Sequence, residues 1–125
     1  MFFGTHLLLY SRDPEADRAF LRHVLEIPAV DAGEGWLIFA MPPAEMGVHP
    51  GGSEIQHAGA NLAAGTVYLM CRDLPATMEK LKAKGVTCGQ VQEAGWGVVT
   101  SIPLPGGSHL GLYEPRHALA IEGPK

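Results

Sequence analysis

Cysteine is nearly missing from this 125-residue chain, and the two that occur, Cys71 and Cys88, have neither the density of a disulfide framework nor metal-type spacing. Both lie in apolar runs, where a buried free thiol is the expected state. Long hydrophobic runs are missing too, so a membrane span is not expected. Met1-Phe2-Phe3 is far too short for the apolar region of a secretion signal, and the expected location is the cytoplasm. Positive charge is scarce: 9 Lys and Arg stand against 13 Asp and Glu, for a formal net charge of -4. Those cations are scattered, which argues against nucleic acid and against an anionic membrane as partners. The pairs Gly51-Gly52 and Gly106-Gly107 lack the Lys-Ser/Thr helix start of a phosphate loop.

What the chain does have is a core. A hydrophobic fraction of 46% with 18% charged residues fits one globular domain that needs no covalent staples. That domain carries an internal repeat. Thr5-His6-Leu7-Leu8-Leu9-Tyr10-Ser11-Arg12-Asp13-Pro14 and Thr66-Val67-Tyr68-Leu69-Met70-Cys71-Arg72-Asp73-Leu74-Pro75 are both apolar runs ending in Arg-Asp with a proline just beyond. Asp13 and Asp73, sixty residues apart, are therefore expected helix N-caps. Gly35-Trp36 and Gly95-Trp96 repeat at the same spacing, each followed by an apolar strand. Each half closes on a run that stops at a proline, Met46 to Pro50 and Leu110 to Pro115. In the helices, Ala16, Ala19, Phe20 and Val24 form one apolar stripe and Leu74, Met78 and Leu81 the other, with Gly85 as a stop.

The expected fold class is α+β: two βαβββ modules forming a cup-shaped, curved mixed sheet with the helices outside. Module one spans about 4–50, a Gly- and Ala-rich linker about 51–64, module two about 65–115, and a tail 116–125. This arrangement, with Gly4-Thr5-His6, Gly47-Val48-His49-Pro50 and Gly111-Leu112-Tyr113-Glu114-Pro115, resembles the vicinal oxygen chelate superfamily of glyoxalases, bleomycin-resistance proteins and extradiol dioxygenases. The resemblance covers nearly the whole chain. It implies a divalent metal held by the first and fourth strands of each module, and a substrate that chelates it through two neighbouring oxygens.

Carried over by position, the implied metal ligands are His6, His49 and Glu114. The residue equivalent to His6 in the second half is Thr66, a neutral hydroxyl, so the four-ligand glyoxalase pattern is broken. Alternation along a strand puts His6, Leu8 and Tyr10 on one face and the aliphatic Leu7 and Leu9 on the other, which leaves His6 on the concave side. Two imidazoles and a carboxylate suit Fe(II), Zn, Mn, Ni or Co. Glu114 and Tyr68 are the candidate catalytic groups, and Thr66, Tyr68, Met70, Trp36 and Trp96 the expected pocket wall. Glu45 reads as a solvated edge residue, and His23, His57, His109 and His117 as surface residues.

The implied function is that of a metal-dependent lyase or isomerase acting on a small molecule. An Fe(II) extradiol dioxygenase is an alternative, and a metal-free drug-binding protein of the bleomycin-resistance type is another. A homodimer is expected from the resemblance and from the strand edges that two short modules leave exposed.

Overall fold

A computed structural model describes residues 1–52 and 54–123. Helix α1 (Pro14–His23) starts as the sequence indicates: the Asp13 carboxylate accepts from the Ala16 N–H at 3.1 Å, and Pro14 sits where a missing N–H costs nothing. Helix α2 (Leu74–Ala83) repeats the device, with Asp73 accepting from Ala76 N–H at 3.0 Å and Gly85 leaving the helix at φ +83°.

The strands are β1 (Ala29–Asp31), β2 (Leu37–Phe39), β3 (Glu54–His57), β4 (Ala60–Ala63), β5 (Tyr68–Met70), β6 (Gln92–Ala94), β7 (Gly97–Pro103) and β8 (His109–Pro115). Strands β5 to β8 form one sheet in the order β5-β8-β7-β6, with β5 parallel to β8 and the other pairs antiparallel. With α2 this is the expected strand, helix, three-strand order, and the fold class is α+β.

The first half differs from its expected form. Among the described residues, β1 and β2 pair only with each other, closed by Asp31, whose carboxylate accepts from Gly33 and Gly35 N–H. Neither residues 4–10 nor residues 46–50 form a strand, although both segments were expected to. Each is apolar enough for one, but neither pairs with a strand among the described residues, and Leu7, Leu8 and Leu9 stay about half exposed. The linker is not featureless either: it carries the β3–β4 hairpin. Its turn residues Ala58 and Gly59 both have positive φ, at 52° and 79°, the twist that a two-residue hairpin needs.

One core serves both halves. Leu74 and Leu81 of α2, Val86, Val98 and Ile102 of β7 and Leu112 of β8 are buried together, and Phe20, Val24 and Leu25 from α1 and its exit pack against them. Two polar ties fix α1 to the second half. The buried Asp17 carboxylate accepts from Gly106 N–H at 2.7 Å, and the Lys84 ammonium donates to Val24 O and to the Glu26 carboxylate, both at 3.0 Å. Glycine at position 106 leaves room for this tie, because a Cβ there would displace the Ser11 hydroxyl and the Asp17 carboxylate. Both helices thus cover the same face of the four-stranded sheet. Among the described residues, no helix is long and apolar enough to cross a membrane.

Candidate functional site

Strand alternation decides what the other face of the sheet presents. On β8, Leu110 and Leu112 are buried, and Leu112 lies in the core beneath α2, so Gly111 and Tyr113 point away from the helices. On β5, Leu69 packs on the core, which turns Tyr68 and Met70 to the same helix-free face. That face is floored by aromatic rings. Tyr113 is the hub: its ring centroid is 5.5 Å from Trp96, 6.0 Å from Tyr68 and 5.8 Å from the His117 imidazole. The contacts with Trp96 and Tyr68 are edge-to-face, the arrangement that ring quadrupoles favour.

Glycines make this floor possible. A Cβ at Gly111 would intrude into the Tyr68 ring, and one at Gly97 would meet the Tyr113 ring and the Glu114 carbonyl. Each tyrosine ring packs against a glycine of the neighbouring strand. The Tyr113 hydroxyl donates to Trp96 O at 3.0 Å, which fixes the ring. Burial, and secondly the Glu45 carboxylate, push the Tyr113 phenol above its ordinary pKa, so it stays neutral.

At one end of the floor the chain brings Glu45 and His117 together from distant parts of the sequence. One Glu45 carboxylate oxygen accepts from Ala120 N–H at 2.9 Å, and the other lies 3.9 Å from His117 Nε2. His117 Nδ1 is 2.8 Å from Ala118 O; a carbonyl only accepts, so Nδ1 carries the proton. Next to this pair, a cleft of about 290 Å³ is lined by Cys71, Arg72, His117 and Leu119, among others. The Cys71 thiol donates to Tyr113 O at 3.7 Å, and burial foremost raises its pKa, so it is a protonated structural thiol. Sequence reasoning left Glu45, Tyr113 and His117 outside the site. The alternation of β8 could have found Tyr113, whereas no local signal marks the other two.

The residues expected to hold a metal are not brought together. Glu114 shares the helix-facing side of β8 with Leu110 and Leu112, and its carboxylate accepts from Leu74 N–H, the first amide of α2, at 2.8 Å. There it complements the positive end of the helix beside the Asp73 cap. His6 and His49 are exposed on segments without regular structure. Among the described residues, no three His, Cys, Asp or Glu side chains are grouped closely enough to hold a metal ion. The set His6, His49 and Glu114 does not fit a metal centre in this arrangement, where Glu114 caps the first amide of α2.

Of the expected pocket residues, Tyr68, Met70 and Trp96 lie on or beside the aromatic floor, and Thr66 is exposed just ahead of β5. Trp36 is elsewhere, under the Arg18 guanidinium of α1 at 4.5 Å from its ring centroid. Replacing Glu114 by Ala is expected to cost about 1–2 kcal/mol by orphaning the Leu74 amide. Added divalent metals should shift the unfolding temperature of wild type and Glu114→Ala alike. A metal-dependent stabilisation confined to the wild type would restore Glu114 as a ligand.

Comparison with solved structures gives the fold its name. A member of the glyoxalase/bleomycin resistance protein/dioxygenase superfamily from Sphaerobacter thermophilus superposes with a TM-score of 0.53 at 21% identity, over 86% of this chain and 91% of that one. A lactoylglutathione lyase from Agrobacterium tumefaciens gives 0.51 at 19% identity, over 85% and 88% of the two chains. An antibiotic-binding protein from a Streptomyces species gives 0.50 at 18% identity, over 92% and 99%. No family model matches the sequence, and no curated protein matches it. The chain has the vicinal oxygen chelate fold.

Proposed function

We propose that the chain is a small-molecule binding protein that holds a flat aromatic ligand against Tyr68, Tyr113 and Trp96. The observation that carries this reading is the ring cluster on the helix-free face, with centroids 5.5 and 6.0 Å from Tyr113 and with Tyr68 and Trp96 about half exposed. Such rings offer π-faces to stack on, each stacked contact contributing about 1–3 kcal/mol. A lyase, isomerase or dioxygenase of the metal-dependent kind needs its donors on one face of the sheet, and Glu114 is on the other. One structural relative at a TM-score of 0.50 is an antibiotic-binding protein, which agrees with the binding reading. A second copy of the chain is part of the proposal, because the unpaired first half leaves Leu7, Leu8, Leu9 and Tyr10 exposed.

The test uses Trp36→Phe, which leaves Trp96 as the single tryptophan, since the chain has two. Titration with a panel of planar polycyclic compounds should give saturable quenching of Trp96 fluorescence, with dissociation constants in the micromolar range, roughly 8 kcal/mol of binding. Tyr113→Leu should weaken that binding at least about tenfold. Absence of any saturable change across the panel would count against the reading. So would metal-dependent turnover of an oxo acid, hemithioacetal or catechol that is lost in His6→Ala and His49→Ala.

A further inference from the structure

The rings are not the whole of the site, because one carboxylate beside them has no Lys or Arg partner among the described residues. Glu45 is held at the end of the floor with a side chain only 17% exposed, so its field is less screened than at an open surface. Its partners are the Ala120 amide, which is neutral, and His117, whose nearer nitrogen at 3.9 Å is beyond hydrogen-bond range. The permanent cations nearby are committed elsewhere. Arg72 pairs with Glu122 at 2.6 Å, and Arg116 pairs with Glu93 at 3.2 Å. Among the described residues, no Lys or Arg forms an ion pair with Glu45. The field of Glu45 reaches the floor, since it contributes to holding the Tyr113 phenol neutral.

Ring faces carry negative electrostatic potential and attract cations. A partly buried carboxylate beside the Tyr113 end of such a ring cluster is therefore complementary to one kind of molecule. We propose that the ligand is a planar aromatic cation, with its rings on Tyr68, Tyr113 and Trp96 and its positive charge directed toward Glu45. This rests on the reading of the aromatic floor as a binding site and names the ligand class for it. The net charge of -4 adds a long-range attraction for such a cation.

The probe is a matched pair, N-methylacridinium and uncharged acridine at mildly alkaline pH, titrated into the full chain by calorimetry. The cation should bind at least about tenfold more tightly than the neutral compound, and added salt should weaken the cation selectively. Glu45→Gln keeps an oxygen for the Ala120 amide, so the tail stays in place, and it should bring the cation down to the affinity of the neutral compound. Equal binding of the two by wild type, or tighter binding of acridine, would overturn the charge assignment while leaving the aromatic site standing. A cation preference that survives both Glu45→Gln and added salt would overturn the role of Glu45. If neither compound binds at any concentration tested, the binding reading fails and this inference with it.

Discussion

Gly111→Ala is expected to weaken binding of flat aromatic ligands at least about tenfold and to lower stability by about 1–2 kcal/mol. The sign is the informative part. In the interior of a strand, exchanging glycine for alanine ordinarily stabilises, because it restricts the unfolded chain. At position 111 the new methyl would intrude into the Tyr68 ring, which packs directly against the glycine. The ring has to leave, and with it go its edge-to-face contact with Tyr113 and one of the three faces offered to a ligand. Strand β8 cannot yield instead, because it is paired on both sides, to β5 and β7. Two measurements separate the effects. The double variant Gly111→Ala, Tyr68→Ala should recover most of the lost stability, since the collision is gone, yet bind no better than the single variant. Wild-type affinity in Gly111→Ala would show that the Tyr68 face takes no part in binding.

The same strand shows where sequence reasoning reaches and where it stops. Asp13-Pro14 and Asp73-Leu74-Pro75 announce both helices, because a cap and a proline act locally, whatever the rest of the chain does. The repeat then locates β5 to β8 around α2. Alternation assigned the aliphatic Leu7 and Leu9 to the helix side and His6 to the other. Applied in the same way to Leu110 and Leu112, it puts Glu114 against α2 and Tyr113 on the open face. Position in the repeat and the resemblance pointed instead to Glu114 as a metal ligand, and the packing of Leu112 in the core outweighs that correspondence. The meeting of Glu45 with His117 was not legible for a different reason. Neither residue lies in a strand or helix, and their approach depends on how the tail crosses the sheet, which no local pattern encodes. The β3–β4 hairpin went unread because its four-residue strands are exposed throughout and so lack an alternation of apolar and polar positions.

In solution the chain is expected to sediment as a dimer, and Leu8→Glu is expected to weaken that dimer roughly 100-fold. The argument starts from the first half of the chain, which contributes α1 to the shared core but leaves its expected outer strands unpaired. Leu7, Leu8, Leu9 and Tyr10 are each about half exposed, and Met46 and Val48 are 87% exposed. A continuous apolar stretch of that kind is a hallmark of an interface. The four-stranded sheet ends at β5, whose outer edge has no strand beside it among the described residues. We propose that residues 4–10 of one copy lie along β5 of the other, completing both sheets and covering the apolar stretch. A carboxylate at position 8 would then be buried without a partner, at a cost of about 3 kcal/mol, the source of the 100-fold figure. Position 8 adds nothing to the core formed by Leu74, Ile102 and their neighbours, so the helical circular dichroism of Leu8→Glu should match that of wild type. Leu8→Met, which keeps the apolar surface, should dimerise as wild type does. Sedimentation equilibrium across the micromolar range decides the matter: a monomeric wild type, or a Leu8→Glu dimer as tight as the wild-type one, would refute this pairing of residues 4–10.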